Sequence, residues 1–423
     1  MKFYIKSNNH PFLGLKVCLG ATTAMLVILG APSSFAQNTK TGSNALLKVT
    51  TGIHNTANGA NALRLNTKGS RNSAFGQSAL FYNVTGSQNT AVGQESLFRN
   101  RGFLNSAVGQ RSLYLNTIGT QNVAFGVNSL YSNTEGSFNV SLGVNALYNN
   151  TTASYNTAVG NEALSSNIIG TYNVAVGATA LQKNTASYNT AIGTNSLSSN
   201  TGGTYNVANG YQALNANVSG YGSTALGSYA LDSATGYNNI AIGYYAGSSL
   251  VSGRDNIFIG NNGVDGEFQS IKIGQPFTHT KTFIAGIRGA TTGINNAISV
   301  VIDGNGQLGT VSSSRRYKEN VSDMGNVSSR LHALRPVTFN YKKPYANGEK
   351  PIQFGLIAEE VAETFPELAV MNEQGLPETV KYQDLTPLLL NEFQKQQDHI
   401  TAMTAEIAEL RQAIRDLQNR PPR

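Results

Sequence analysis

The 423-residue chain is long enough for two or three ordinary domains. Its 44 Gly, absence of Trp and 13% charged residues argue against a uniform globular enzyme and for a repetitive, loop-rich or β-solenoid body. The net charge of +7 is thinly spread, with 13 Lys and Arg against 7 Asp and Glu over residues 37–300, which argues against a nucleic-acid footprint.

Residues 1–36 have the build of a secretory signal peptide. Lys2, Lys6 and Lys16 precede an apolar run from Val17 to Gly30, and Ser34 and Ala36 hold the small positions before an expected cut after Ala36. The run is short for a full membrane span, and Lys16 argues against lipidation at Cys18. Cys18 is the single cysteine, so the mature chain is expected to be exported without any disulfide.

After a short N-terminal segment, residues 37–52, a repeat occupies 53–263. "NTAVGQESL", "NSAVGQRSL", "NVAFGVNSL" and "NTAIGTNSL" align on one glycine, which recurs from Gly59 through Gly76, Gly93 and Gly109 to Gly260 at gaps of 16 or 17 residues. A period that regular means one unit stacked on copies of itself. Each unit has Asn four residues before the Gly (Asn72, Asn89), a small residue two before (Ala74, Ala91), an apolar one just before (Phe75, Val92) and Leu four after (Leu80, Leu97). The stretch before the Gly is too short for a helix and reads as a strand, and Asn116–Gly119 reads as a turn.

Stacking then predicts a hydrogen-bonded Asn ladder flanked by apolar Val/Phe/Ile and Leu stripes. Where these Asn residues fall in N-x-S/T triplets, the Thr reads as turn chemistry rather than as a glycosylation signal. One coil offers about two large apolar side chains, too little to offset the ordering of its backbone. Several chains are therefore expected to associate.

Residues 264–311 read as a β-rich connector with a turn at Asp303–Gly306, in which His279 is a lone surface or packing histidine. From 312 to 399 the composition becomes that of a mixed domain: "LHALRPVTFNYKKP" predicts a short helix into a strand, "FGLIAEEVAETFPELAV" a strand into a helix closed by Pro366, and "VKYQDLTPLLLNEFQKQ" the start of a long helix. In the last segment, 400–423, Ile400, Met403, Ile407, Leu410, Ile414 and Leu417 alternate at spacings of three and four, a coiled-coil seam expected to end at Pro421.

The 53–263 repeats resemble the heads of YadA-like trimeric autotransporter adhesins, which are likewise built on "A-V-G" and "A-I-G" strands. The resemblance implies a left-handed parallel β-roll with three chains side by side, hence a homotrimer facing a host or extracellular surface receptor. The period here is longer than usual for that family, and no C-terminal segment resembles its membrane-anchoring barrel.

"SSSRRYKENV" at 312–321, with "LRPVTFNYK", "FGLIAEEV", "PELAV" and "VKYQDLTPLLL" behind it, resembles the C-terminal intramolecular chaperone domain of phage endosialidases and tail fibres. That resemblance implies a domain that trimerises, guides folding of the fibre ahead of it, and cuts itself off with a Ser-Lys dyad. The family spacing maps onto Ser313 as nucleophile and Lys318 as base, with the cut between Ser312 and Ser313. Ser314 stands where the family often has Asp, and Ser312 and Ser314 remain alternative nucleophiles. The chemistry suits the residues, since a serine hydroxyl needs a base and a lysine serves when desolvation or neighbouring cations such as Arg315 and Arg316 lower its pKa. A solvated basic turn without chemistry is the competing reading of the cluster. Glu359 and Glu360, in "IAEEV", are candidates for positioning water or substrate, although surface carboxylates are the commoner case. No metal or cofactor motif appears in the sequence.

The expectation is a secreted or surface-displayed homotrimeric fibre of adhesin type, its only enzyme activity a single self-cleavage by a serine endopeptidase. The alternative is a prophage-derived tail-fibre protein with the same chaperone, against which the export signal argues.

Overall fold

A computed structural model describes residues 37–419, so the expected export leader, its cut after Ala36 and Pro421 lie outside the described residues. The chain divides into two compact units, one reaching Phe283 and the other beginning at Ile284.

The first unit is a parallel β-solenoid. Among the described residues, one sheet holds fifteen three-residue strands in sequence order, from β1 (Thr39–Thr41) and β2 (Thr56–Asn58), one per repeat, to β14 (Ile257–Ile259) and β15 (Ile271–Ile273). Like pairs with like: Ala74 lies beside Ala91 and Phe75 beside Val92. The ladder extends one rung beyond each end of the 53–263 repeats. Its first rung keeps the repeat's Asn38, Gly42 and Leu46, but Lys40 replaces the small residue and hides the match.

Strands stop after three residues because the glycine takes a backbone that side chains avoid. Gly76 has φ 133°, and a Cβ there would meet the Gly93 carbonyl oxygen at 2.5 Å. Each coil then turns inward through its Leu, which is also left-handed: φ is 48° at Leu63, 54° at Leu80 and 53° at Leu130. That conformation costs an L-residue roughly 1–2 kcal/mol. Full burial of the isobutyl group, worth about 2 kcal/mol, offsets it.

The core corrects one expectation. Of the apolar columns only Ala and Leu are buried, whereas the Val/Phe/Ile residues before each Gly point outward, exposed at Phe75, Val92, Phe125 and Ile192 and half-buried at Val108, Val159 and Val176. The reason is strand alternation: with the small residue facing in, both neighbours must face out. The stripe exists, but in the single chain it is a surface.

The expected Asn ladder is present and fully buried. Asn72 donates Nδ2 to Asn55 Oδ1 at 3.1 Å and to the Gly86 carbonyl at 2.9 Å, while its backbone N–H donates to the same Asn55 oxygen at 3.0 Å. The Asn of the N-T-x-G turns forms a second buried ladder, Asn83 Nδ2 to Asn66 Oδ1 at 3.0 Å and to the Gly86 carbonyl at 2.8 Å. That ladder is broken once, between Asn167 and Asn184, where Asn184 donates to the Ala186 carbonyl instead, and it ends at Asn217, since the next coil carries Ala234. There Gly247 replaces the repeat Leu, and Phe258, paired with Ala241, fills the space: a Cβ on Gly247 would meet Phe258 at 3.0 Å and Leu231 of the preceding coil at 2.7 Å.

The second unit opens with the hairpin β16 (Val301–Ile302) and β17 (Leu308–Gly309). Asp303 closes its turn, accepting from Asn305 and Gln307 backbone N–H groups at 2.9 Å each, as the sequence predicts. A 3-10 helix, Val327–Ala333, leads into β18 (Val337–Phe339), paired antiparallel with β19 (Gln353–Gly355). Then follow α1 (Ala358–Thr364), a turn begun by Pro366, the pair β20 (Ala369–Met371) and β21 (Pro377–Val380), and α2 (Tyr382–Gln418). Helix α2 is continuous through position 400, so the seam is the outer part of one helix rather than a separate segment.

A small core of Val361, Phe365, Leu368, Val380 and Leu388 holds α1, β20–β21 and the start of α2 together. Arg330 clamps the 3-10 helix onto it, forking to Glu367 at 3.0 Å twice with its guanidinium 3.8 Å over the Phe365 ring.

Candidate functional site

The serine cluster stands where extended chain meets a single 3-10 turn, Arg315–Tyr317. Ser314 caps that turn: its Oγ accepts from the Arg316 backbone N–H at 3.4 Å and from Arg316 Nε at 3.2 Å. The turn is closed by Tyr317 N–H on the Ser314 carbonyl at 3.0 Å and Lys318 N–H on the Arg315 carbonyl at 3.3 Å. Chain direction thereby reverses enough for Lys318 Nζ to donate to Ser313 Oγ at 3.0 Å.

The two residues five positions apart are therefore in contact, and the neighbouring hydroxyl of Ser314 is engaged elsewhere. Arg316 lies 5.6 Å over the Tyr317 ring. The site is exposed. As drawn, the ammonium donates to the hydroxyl; in the neutral amine the same contact reverses, and Ser313 donates its proton to Nζ.

Glu359 and Glu360, in the first turn of α1, share no hydrogen bond or ion pair with this cluster among the described residues. Glu360 is instead paired with Arg335, whose guanidinium it holds above its ordinary pKa by hydrogen bonding and charge. Its place in the domain is that of a tie between α1 and the lead into β18.

A second polar centre had no sequence signal. Glu392, on α2 and almost buried, accepts Ser328 Oγ at 2.6 Å and Lys395 Nζ at 2.8 Å, and meets His332 Nε2 at 2.9 Å. Lys395 also donates to Ser329 at 2.9 Å, and Asn391 Nδ2 to the Gly325 carbonyl at 2.9 Å. The Lys395 and Ser328 hydrogen bonds lower the Glu392 pKa to about 2. Only the Glu392–Lys395 spacing was visible locally; Ser328 and His332 are brought to it by the fold.

A β-solenoid followed by a small α+β unit and a long helix is thus the class of chain these elements define. Residues 313–370 match the family model described as chaperone of endosialidase, so the chain carries that C-terminal domain behind its solenoid, of the kind typical of trimeric fibre proteins. No curated protein and no solved structure matches the chain.

Proposed function

We propose that this is an exported homotrimeric β-solenoid fibre, of adhesin type with a YadA-like head, whose C-terminal domain assembles three chains and then cuts itself away. The observation that carries the cleavage is the 3.0 Å contact between Lys318 Nζ and Ser313 Oγ, at the residue where the family match begins. Association is supported by two unpartnered apolar surfaces: the outward strand residues of the solenoid and the α2 seam, in which Ile400, Ile407 and Ile414 are about half exposed. The tail-fibre reading accommodates the same C-terminal domain and differs in export.

In this reading neutral Lys318 takes the Ser313 hydroxyl proton as Oγ attacks the Ser312 carbonyl carbon. The C–N bond breaks, the proton passes to the departing Ser313 nitrogen, and the Ser312 acyl group is left as an ester on Oγ. Water then hydrolyses the ester, giving a carboxylate at Ser312 and a free hydroxyl at Ser313.

Ser313→Ala should leave an uncut trimer, because loss of an exposed hydroxyl costs a folded domain little. Lys318→Arg should also stay uncut, since a guanidinium does not give up its proton. Ser314→Ala should cut. Normal cutting by Ser313→Ala with failure of Ser314→Ala would move the nucleophile by one position, and cutting by both would leave the cluster a basic turn.

A further inference from the structure

The solenoid carries an exposed column of tyrosines that neither the fold nor the self-cleavage uses. Tyr155, Tyr172, Tyr188 and Tyr205 each sit directly before a ladder Asn and stack on one another at ring-centroid distances of 4.9, 5.3 and 5.1 Å, with planes within 3° of parallel. Their backbones are pinned in the left-handed region, with φ between 58° and 63°, and those of Tyr155, Tyr172 and Tyr188 are tied to the preceding coil, as by Tyr188 N–H on the Thr171 carbonyl at 3.0 Å. The pitch is that of hydrogen-bonded strands, about 4.7–4.9 Å. About half of each ring is nevertheless open to solvent, from 48% at Tyr155 to 63% at Tyr205.

Composition gives this column a second property. Residues 37–283 contain no Cys, Met or Trp, the side chains that ordinarily intercept oxidants. Phenols are then the groups of the solenoid most easily oxidised by one electron, and here they are held in pairs at contact distance.

We propose that this column is a site of oxidative cross-linking, at which a haem peroxidase supplied with hydrogen peroxide joins tyrosines of successive coils as dityrosine. Each of two neighbouring phenols gives up one electron and its hydroxyl proton, and together they reduce one hydrogen peroxide to two waters. The two phenoxyl radicals form one carbon–carbon bond between positions ortho to oxygen, and the ring hydrogens at those carbons shift to restore both hydroxyls. The product lacks two hydrogens and adds a covalent side-chain tie between coils that the backbone joins only in sequence and that hydrogen bonds and stacking hold in register.

Lys183 makes the reaction readable. Trypsin separates Tyr172, in peptide 112–183, from Tyr188, in peptide 184–254, and neither peptide contains another Lys or Arg before its end. Purified full-length protein treated with peroxidase and hydrogen peroxide should show dityrosine fluorescence. After denaturing electrophoresis, the band of single-chain mass should yield the two peptides joined, lighter than their sum by two hydrogens. Tyr188→Phe should lose the joined peptide; the change is mild, since Phe138 already occupies this position in the same stack. Tyr131→Phe should keep it. Persistence of the joined peptide in Tyr188→Phe, dityrosine confined to products larger than one chain, or absence of dityrosine would each overturn the proposal.

Discussion

Three serine hydroxyls stand side by side at 312–314, and their partners distinguish them. Ser314 caps the 3-10 turn through Arg316, leaving Ser313 as the one that Lys318 reaches. The spacing of five was legible in the sequence; the capping role was not, because it depends on a single turn that no periodicity announces. Glu360 was legible as a motif and not as a contact, since its partner Arg335 is 25 residues away. Glu392 gives a pH prediction. Its pKa is lowered from about 4.5 to about 2, so the unfolded chain binds the proton at the higher pH. Its stabilisation of the domain is then complete above pH about 4.5 and is lost as pH falls through about 2. Circular dichroism across that interval should show wild type losing stability more steeply than Glu392→Gln; parallel curves would contradict the assignment.

At the scale of an element, the coil was legible from Asn, Ala, Gly and Leu at fixed offsets, because stacking repeats every local choice a dozen times. The facing of its apolar residues was misread. Only the strand's alternation, with one small residue inward, shows that Val and Phe lie outside while a left-handed Leu fills the core. Leu147→Ala should therefore destabilise the solenoid by about 2–5 kcal/mol, as buried Leu truncations do. Ile118→Ala, at an exposed site, should stay within about 0.5 kcal/mol. Equal midpoints in denaturant would contradict this division of the coil. On α2, the seam was legible by its spacing of three and four, and Ile400, Met403, Ile407 and Leu410 are all exposed in the single chain. Ile407→Asp should weaken assembly and, because assembly precedes cutting in this account, lower the yield of cleaved fibre in the same preparation. Full cleavage by a dissociated variant would separate the two events.

For the whole molecule, the order of parts was visible in composition alone: a glycine-rich repeat gives way near residue 312 to a mixed segment with charged helices. What composition could not reveal is how little a single chain buries. Its continuous core is a narrow set of Ala and Leu columns, two or three small or branched residues to a coil, with buried Asn beside them and aliphatic and aromatic residues left on the outside. Such a chain has good physical reason to associate, and the C-terminal domain supplies a helix whose seam would bring copies together. The account therefore rests on assembly followed by a single cut. Native mass spectrometry of the purified product of residues 37–423, followed by denatured masses of the same sample, measures both together. The account predicts a complex of three solenoid chains, each ending at Ser312, and a separate fragment beginning at Ser313. A folded, uncut monomer would contradict it.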